Sequence, residues 1–405
     1  MPWSEVSPME QKRFFIKDWQ RGNFTVTELC HRYAISRKTA YKWIGRFEAE
    51  GAQGLADRSR RPISSPWATP PKLEHMIVTL RKRHPTWGPK KLLWSLEQRH
   101  PNMYWPARST IADILVRNDL ITHHVRRRYP GHGGKPSVSM SVPNETWSVD
   151  FKGHFRTADG IYCYPLTVCD GFSRCLLGCK GLDSTKCSLS KPVFERIFKE
   201  FGMPKIIRSD NGVPFATNGL GRLSELSVWW IRLGIYPERI QPSHPEQNGR
   251  HERMHRTLKR ETARPPAATM RAQQRRFDRF MAEYNFERPH EALGGATPSS
   301  LYESSPREFP SALPDVSYPP HFELRFVSRN GCMRFNKFAV NVTHAIIGQY
   351  VGLEEVGDGI WDVYYGPMRL GQLDERKGSI EDALGRRARN SKSIHEFSVS
   401  PMSLD

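Results

Sequence analysis

The chain has 405 residues, with 61 Lys and Arg against 42 Asp and Glu, a formal net charge of +19. This length allows roughly two to four domains, and the positive excess favours polyanionic partners. No stretch approaches the roughly 18 apolar residues of a membrane helix, and Met1 to Arg13 lack the apolar run of a secretory signal, so a cytoplasmic protein with no membrane partner is expected.

The first sixty residues predict helices. Ser7-Pro8-Met9-Glu10 joins a capping box to a proline at the first helical position, and Thr25 to Glu28 is a second capping box. Ala34-Ile35-Ser36 reads as a tight turn, after which Ser36 caps a third helix with Ala40, Ile44 and Phe47 inward. Residues 1–50 thus predict a helix-turn-helix DNA-binding unit whose reading helix presents Arg37, Lys38, Thr39, Tyr41, Lys42 and Arg46. The alternative is a three-helix bundle with a solvated basic face. Residues 51–70 form a basic linker in which Arg58, Arg60 and Arg61 could follow phosphates, or simply be solvated.

Residues 71–125 predict a second helical cluster. Its stripes are Leu73, Met76, Ile77 and Leu80, then Leu92, Leu93 and Leu96, then Ile111, Ile114 and Leu115. Read as a second helix-turn-helix, it offers Arg108, Thr110 and Arg117; read as a bundle, it is structural. Residues 126–142 are a linker.

From 143 to 303 the pattern is mixed α/β. Trp147, Val149 and Phe151 alternate with Ser148, Asp150 and Lys152 over Thr146–Phe155, and Ile161–Cys169 and Arg174–Lys180 predict further strands. A helix over Ser188–Phe201, a buried strand at Lys205–Arg208, a helix around Leu220–Leu233, a strand near Ile235–Ile240 and a long helix after Pro245 follow. Residues 304–321 are a linker. Residues 322–373, with a hairpin signal at Asp358-Gly359, predict a small SH3-like β-barrel. Residues 374–405 read as a polar, disordered tail. Five of the seven cysteines fall between Cys163 and Cys187 with no CxxC pair, which favours reduced, half-buried thiols over a zinc site.

Phosphodiester chemistry near neutral pH needs a strong oxygen nucleophile and relief of charge on the leaving oxygen, which a pair of divalent cations held by carboxylates supplies. Three acids suit that role. Asp150 is on the polar face of a strand, Asp210 follows a buried strand, and Glu252 shares one helix face with Arg256 and Lys259 at i, i+4 and i+7. The alternative for Glu252 is a solvated ion-pair face.

Trp147-Ser148-Val149-Asp150, Ser209-Asp210-Asn211-Gly212 and His244-Pro245-Glu246-Gln247-Asn248-Gly249-Arg250-His251-Glu252-Arg253 resemble the three signature segments of DDE transposases in the retroviral-integrase-like superfamily. Tyr284 to Leu293 with Thr297-Pro298 resembles the segment that follows in bacterial insertion-sequence enzymes, closest to the IS481-like group within the IS3-like set. The resemblance implies a ribonuclease-H-like core with Asp150, Asp210 and Glu252 as catalytic acids and ligands of two Mg2+ or Mn2+ ions, and Asn248, Arg256 and Lys259 beside the DNA. It further implies a nucleoid-associated homo-oligomer that pairs element ends, nicks DNA and joins the freed 3′-hydroxyl to target double-stranded DNA, with no small-molecule cofactor.

The family's usual spacing would select Glu246 as third acid (246 − 210 − 1 = 35), whereas Glu252 leaves 41. The Pro-x-x-Asn-Gly-x-x-Glu pattern selects Glu252, with the extra six residues (41 − 35) placed in the loop around Ala216–Ser224. Two other classes compete: a non-catalytic DNA-binding regulator, and a plain ribonuclease-H-type nuclease.

Overall fold

The computed structural model describes residues 7–59, 68–121, 140–151, 153–240, 249–383, 385 and 387. It divides after Pro70 into two compact units, each taken by itself.

In the first unit α1 (Pro8–Gln20), α2 (Val26–Arg32) and α3 (Arg37–Glu50) form the expected bundle. Both capping boxes close: Ser7 N donates to Glu10 at 2.8 Å and Thr25 N to Glu28 at 2.7 Å, each with the reciprocal bond to the hydroxyl. A cap of this kind contributes about 1 kcal/mol. Ala34 takes the sharp corner between α2 and α3 at φ 52°, a left-handed conformation that costs an L-residue about 1–2 kcal/mol. Phe15, Ile16, Leu29, Ala40, Trp43 and Ile44 make the core. Leu55, from the 3-10 turn Gly51–Leu55, is buried with them, so the start of the linker belongs to the bundle.

In the second unit α4 (Pro71–Arg83), α5 (Pro89–Arg99) and α6 (Arg108–Arg117) bury the three predicted stripes, joined by Trp87 and Trp105. This bundle is bonded to the α/β core. Trp87 Nε1 donates to Glu283 at 3.0 Å, Lys90 Nζ to Glu291 at 2.7 Å and Gln98 Nε2 to the Gly295 carbonyl at 3.3 Å. Gly295, at φ 98°, lies so close to the Trp94 ring that an added Cβ would sit 2.8 Å from it, so only glycine permits this approach.

The core sheet has β1 (Thr146–Phe151) at its centre, between antiparallel β3 (Tyr162–Asp170) and parallel β5 (Ile206–Ser209). Strand β6 (Tyr236–Arg239) lies outside β5, and β3 also pairs β2 (Phe155–Arg156) and β4 (Leu176–Leu182). Helices α7 (Cys187–Phe201) and α8 (Glu225–Arg232) cover the face that carries Trp147 and Val149. Helices α9 (Gly249–Thr262) and α10 (Met270–Ala282) pack on residues of the opposite face, including Cys163, Cys169 and Cys179. This is the layered α/β arrangement expected of a ribonuclease-H-like core.

Two elements differ from expectation. The strand predicted to run to Phe155 stops at Phe151, because Gly153 turns the chain at φ 59° before β2. The helix predicted from Leu220 starts only at Glu225: Gly221 breaks the helical path at φ 57°, and Ser224 caps the new start through Ser227 N at 3.2 Å.

At the C-terminus β7 (Glu323–Phe326), β10 (Tyr350–Gly357), β11 (Ile360–Tyr365), β12 (Met368–Asp374) and β13 (Ser379–Glu381) form an antiparallel sheet in the order β13-β12-β11-β10-β7. The hairpin β8 (Cys332–Phe335) with β9 (Phe338–Asn341) shares its core. Among the described residues the expected barrel is seen as this five-stranded sheet and the hairpin around one core, joined by an antiparallel bridge between Val327, just after β7, and Met333 of β8. Buried Ile380 extends the sheet into the stretch expected to be a tail. Leu220, Leu223, Val228 and Ile231 enter the same cluster, while Leu226, Trp229 and Trp230 enter the core of the α/β domain, so α8 is buried between the two. Residues 304–321 hold no helix or strand, yet Arg307 donates to the carbonyls of Leu233 and Gly234 at 3.0 and 2.9 Å.

Candidate catalytic cleft and nucleic-acid interface

Asp150 is near the end of β1, the strand on which α9 packs, Asp210 directly follows the adjacent β5, and Glu252 is on α9. Strands β1 and β5 run parallel, with Thr146 opposite Ile206 and Ser148 opposite Arg208. The same offset of 60 (206 − 146) carries Asp150 to Asp210, just beyond the last paired residues. Asp150 is therefore at the carboxyl end of β1, and Asp210 directly after the carboxyl end of β5, where open α/β sheets commonly place ligands.

Glu252 is exposed in the first turn of α9, and lines one open cleft of about 590 Å³ with Asp150, His255, Arg256, Lys259, Arg260 and Arg264. Asp210 is not among that lining, and among the described residues no three His, Cys, Asp or Glu side chains are grouped tightly enough to hold one metal ion. Burial raises the Asp210 pKa above the ordinary aspartate value, partly opposed by the Gly212 N–H donating to its carboxylate at 3.1 Å.

Beneath the cleft is a polar cluster that the sequence reading missed. Thr167, which pairs with Asp150 across β1 and β3, donates its hydroxyl to the Asp150 carbonyl at 3.0 Å. His251 and His255 each place Nε2 2.7 Å from that hydroxyl oxygen. A threonine hydroxyl has one proton, so with that proton on the carbonyl both imidazoles donate from Nε2. His255 Nδ1 then faces the Asp150 carboxylate at 3.5 Å. The signal was present in the sequence: His251, His255 and Leu258 follow the inward helical spacing of α9, and two histidines on a buried stripe need partners.

Asp170 is the last residue of β3, at the turn toward β4. It is buried and accepts from Asn144 N at 2.8 Å and from Ser173 N and Oγ at 2.7 Å each. The seven cysteines are free, and burial pushes the Cys163 thiol up to about 12, which keeps it protonated and a poor metal ligand.

The candidate DNA contacts are distributed as follows. Arg37, Lys38, Tyr41 and Lys42 are exposed on α3, whereas Thr39 is engaged with the Ser36 cap at 2.9 Å. Lys42 and Arg46 flank the Trp43 ring at 4.9 and 5.1 Å. Arg58 is ion-paired to Glu50 within its own bundle. Arg108 is exposed, Thr110 half-buried, and Arg117 lies 3.7 Å from Glu74 of α4. Arg256 and Lys259 line the cleft beside Glu252. Arg60, Arg61, Asn248 and Glu246 lie outside the described residues.

Comparison with known proteins finds similarity over most of the chain. Residues 141–245 and 233–298 match the integrase core domain, residues 11–63 a helix-turn-helix domain and residues 39–115 a homeodomain-like domain. An uncharacterized 39.2 kDa protein of insertion element IS476 from Xanthomonas euvesicatoria is 25% identical over 291 residues, covering 70% of this chain and 79% of that protein. The Gag-Pol polyprotein of avian reticuloendotheliosis virus is 34% identical over 128 residues, 31% of this chain, and that of baboon endogenous virus (strain M7) 33% over 123 residues, 29% of this chain. The chain spans only 10% and 6% of those two polyproteins. Among solved structures, the integrase catalytic core domain of HTLV-2 in complex with magnesium superposes with a TM-score of 0.32 at 16% identity, covering 40% of this chain and 98% of that one. A chain of the simian T-cell lymphotropic virus intasome in complex with the PP2A regulatory subunit B56 gamma gives 0.37 at 15%, covering 71% and 91%.

Proposed function

We propose that this chain, which belongs to the integrase-core family that insertion-element transposases and retroviral integrases share, binds the ends of a mobile DNA element, hydrolyses a phosphodiester there and joins the freed 3′-hydroxyl to target DNA. The observation that carries the reading is the placement of Asp150 and Asp210 at matching ends of adjacent parallel strands, with Glu252 on the cleft that Asp150 lines. These are three oxygen-only donors, as hard divalent cations prefer, and partial burial works against the ionised form of the Asp210 carboxyl, a cost that a cation would offset.

Asp150, Asp210 and Glu252 would hold two Mg2+ or Mn2+ ions, which when bound supply Lewis acidity and lower the pKa of the attacking water. The chain's own groups do the rest. Arg256 and Lys259 neutralise phosphates in the cleft beside the acids. Thr167 and His255 fix the Asp150 end of β1. The helix-turn-helix units read the element ends, two copies pair them, and the protein works on the nucleoid in the cytoplasm. No described helix is long and apolar enough to cross a membrane.

The test is incubation of purified protein with a labelled duplex carrying the element end, in magnesium and then in EDTA. Metal-dependent nicked and joined products, lost in Asp210→Asn, are expected. Tight binding with no cut under any metal would instead mark a DNA-binding remnant. Cleavage of RNA–DNA hybrids without strand joining would mark a plain nuclease.

The same variant has a stability signature. A partly buried acid with a raised pKa destabilises the fold when ionised; the penalty is full above its folded pKa, fades as pH falls through that value and is gone below the unfolded value of about 4. Without metal, Asp210→Asn should therefore melt higher than wild type at pH 7, with the gap closing toward pH 4. A variant that melts lower at pH 7 overturns this account of Asp210.

His255 is a positioning residue on this reading. His255→Ala should slow nicking by about 10–100-fold, the range for groups that orient metal ligands, while DNA affinity holds. Equal losses of cutting and binding, measured by gel shift, would indicate a fold defect instead.

A further inference from the structure

Helix α9 has a second functional face. Where Glu252, Arg256 and Lys259 line the acidic cleft, Arg250 and Arg253 line a separate pocket. Lys91 of α5, Arg174 from the β3–β4 turn, and Arg288 and His290 from the segment after α10 complete its charged wall. The cavity holds about 90 Å³, several times what one water needs. Five cations line it against one acid, Asp170, whose oxygens are already engaged by Asn144 and Ser173.

The donors are not all used. Arg288, with 4% of its side chain exposed, gives Nη2 to Thr86 and to Glu261 at 2.8 Å each, while its Nη1 is buried with no acceptor among the described residues. Among the described residues Arg174 Nε is buried without an acceptor, and His290, 8% exposed, has no hydrogen-bond partner at Nε2. Buried cations with unused donors cost several kcal/mol unless something pairs with them. Burial and the nearby Arg288 push Lys91 down to about 8, and burial and Lys91 push His290 down to about 3. Burial is the larger cause of both shifts, and the neighbouring cations add to it.

We infer that this pocket binds one phosphate-type oxyanion, with Arg174, Arg288 and Lys91 as its principal donors. A tetrahedral oxyanion matches the planar forks of two arginines and the point charge of a lysine, and it offsets the excess charge. The anion has two available sources, a free phosphate or a backbone phosphate of bound DNA. Its site abuts the chemistry, because His251 lines the pocket and also contacts the Thr167 hydroxyl that holds Asp150.

The test is thermal unfolding of the full chain, free of metal, titrated with sodium phosphate against sodium chloride at matched ionic strength. Phosphate should raise Tm saturably beyond chloride. Arg174→Gln and Lys91→Met should each weaken that binding about tenfold, the scale of one charge-assisted hydrogen bond. Arg288 is avoided because its loss would strand Glu261. Repeating the titration with saturating duplex separates the sources: loss of the phosphate increment assigns the pocket to a DNA phosphate, and its persistence to a free anion. No increment beyond chloride, or an equal one in both variants, overturns the inference.

Discussion

Glu252→Gln should abolish strand cleavage, by at least about 10²–10³-fold, while Glu246→Gln cuts at the wild-type rate. The magnitude is that of removing one preorganised group from the developing charge. Glutamine keeps the size and polarity of the side chain, so α9, anchored by buried Met254 and Leu258, has no reason to rearrange. Only the charge is lost, and with it the cation affinity of the cleft shared with Asp150. The discriminating result is the pair of rates. Cleavage lost with Glu246→Gln and retained with Glu252→Gln would move the third acid to the shorter spacing and leave Glu252 as a solvated helix residue. Duplex binding should be unchanged in both.

Raising salt from 50 to 200 mM should weaken binding to an element-end duplex by about 10³–10⁵-fold. If about ten phosphates are neutralised, log K falls with log salt at a slope of roughly −9. The charge of +19 makes such a contact count attainable, and exposed Arg37, Lys38 and Lys42 crowd one helix to provide part of it. Lys42→Ala should weaken binding more than Lys199→Ala, because Lys42 is on α3, the proposed reading helix, while Lys199 is on α7 with its ammonium over the Phe309 ring. A slope near zero would sink the nucleic-acid reading. Equal effects of the two substitutions would move the reading surface off α3.

Much of this protein is encoded locally. The capping boxes at Ser7 and Thr25, the apolar stripes of α4 to α6 and the alternation that turns Trp147 and Val149 one way and Asp150 the other depend on residues a few positions apart, and the sequence reading placed them. The three candidate acids were chosen from a strand period, a strand end and a helix face, together with the resemblance of their segments to a known family. Tertiary structure decided what depends on distant segments. Strand pairing set Asp150 and Asp210 at the same end of adjacent parallel strands, and brought Thr167 into reach of His251 and His255. Docking joined the α4–α6 bundle to the core through Trp87, Lys90 and Gln98. The cationic pocket takes Lys91, Arg174, Arg250 and Arg288 from four separated stretches of chain. No periodicity records such meetings, because burial and hydrogen bonding are satisfied by whichever partners the packed chain brings near, and that is fixed only when the layers close.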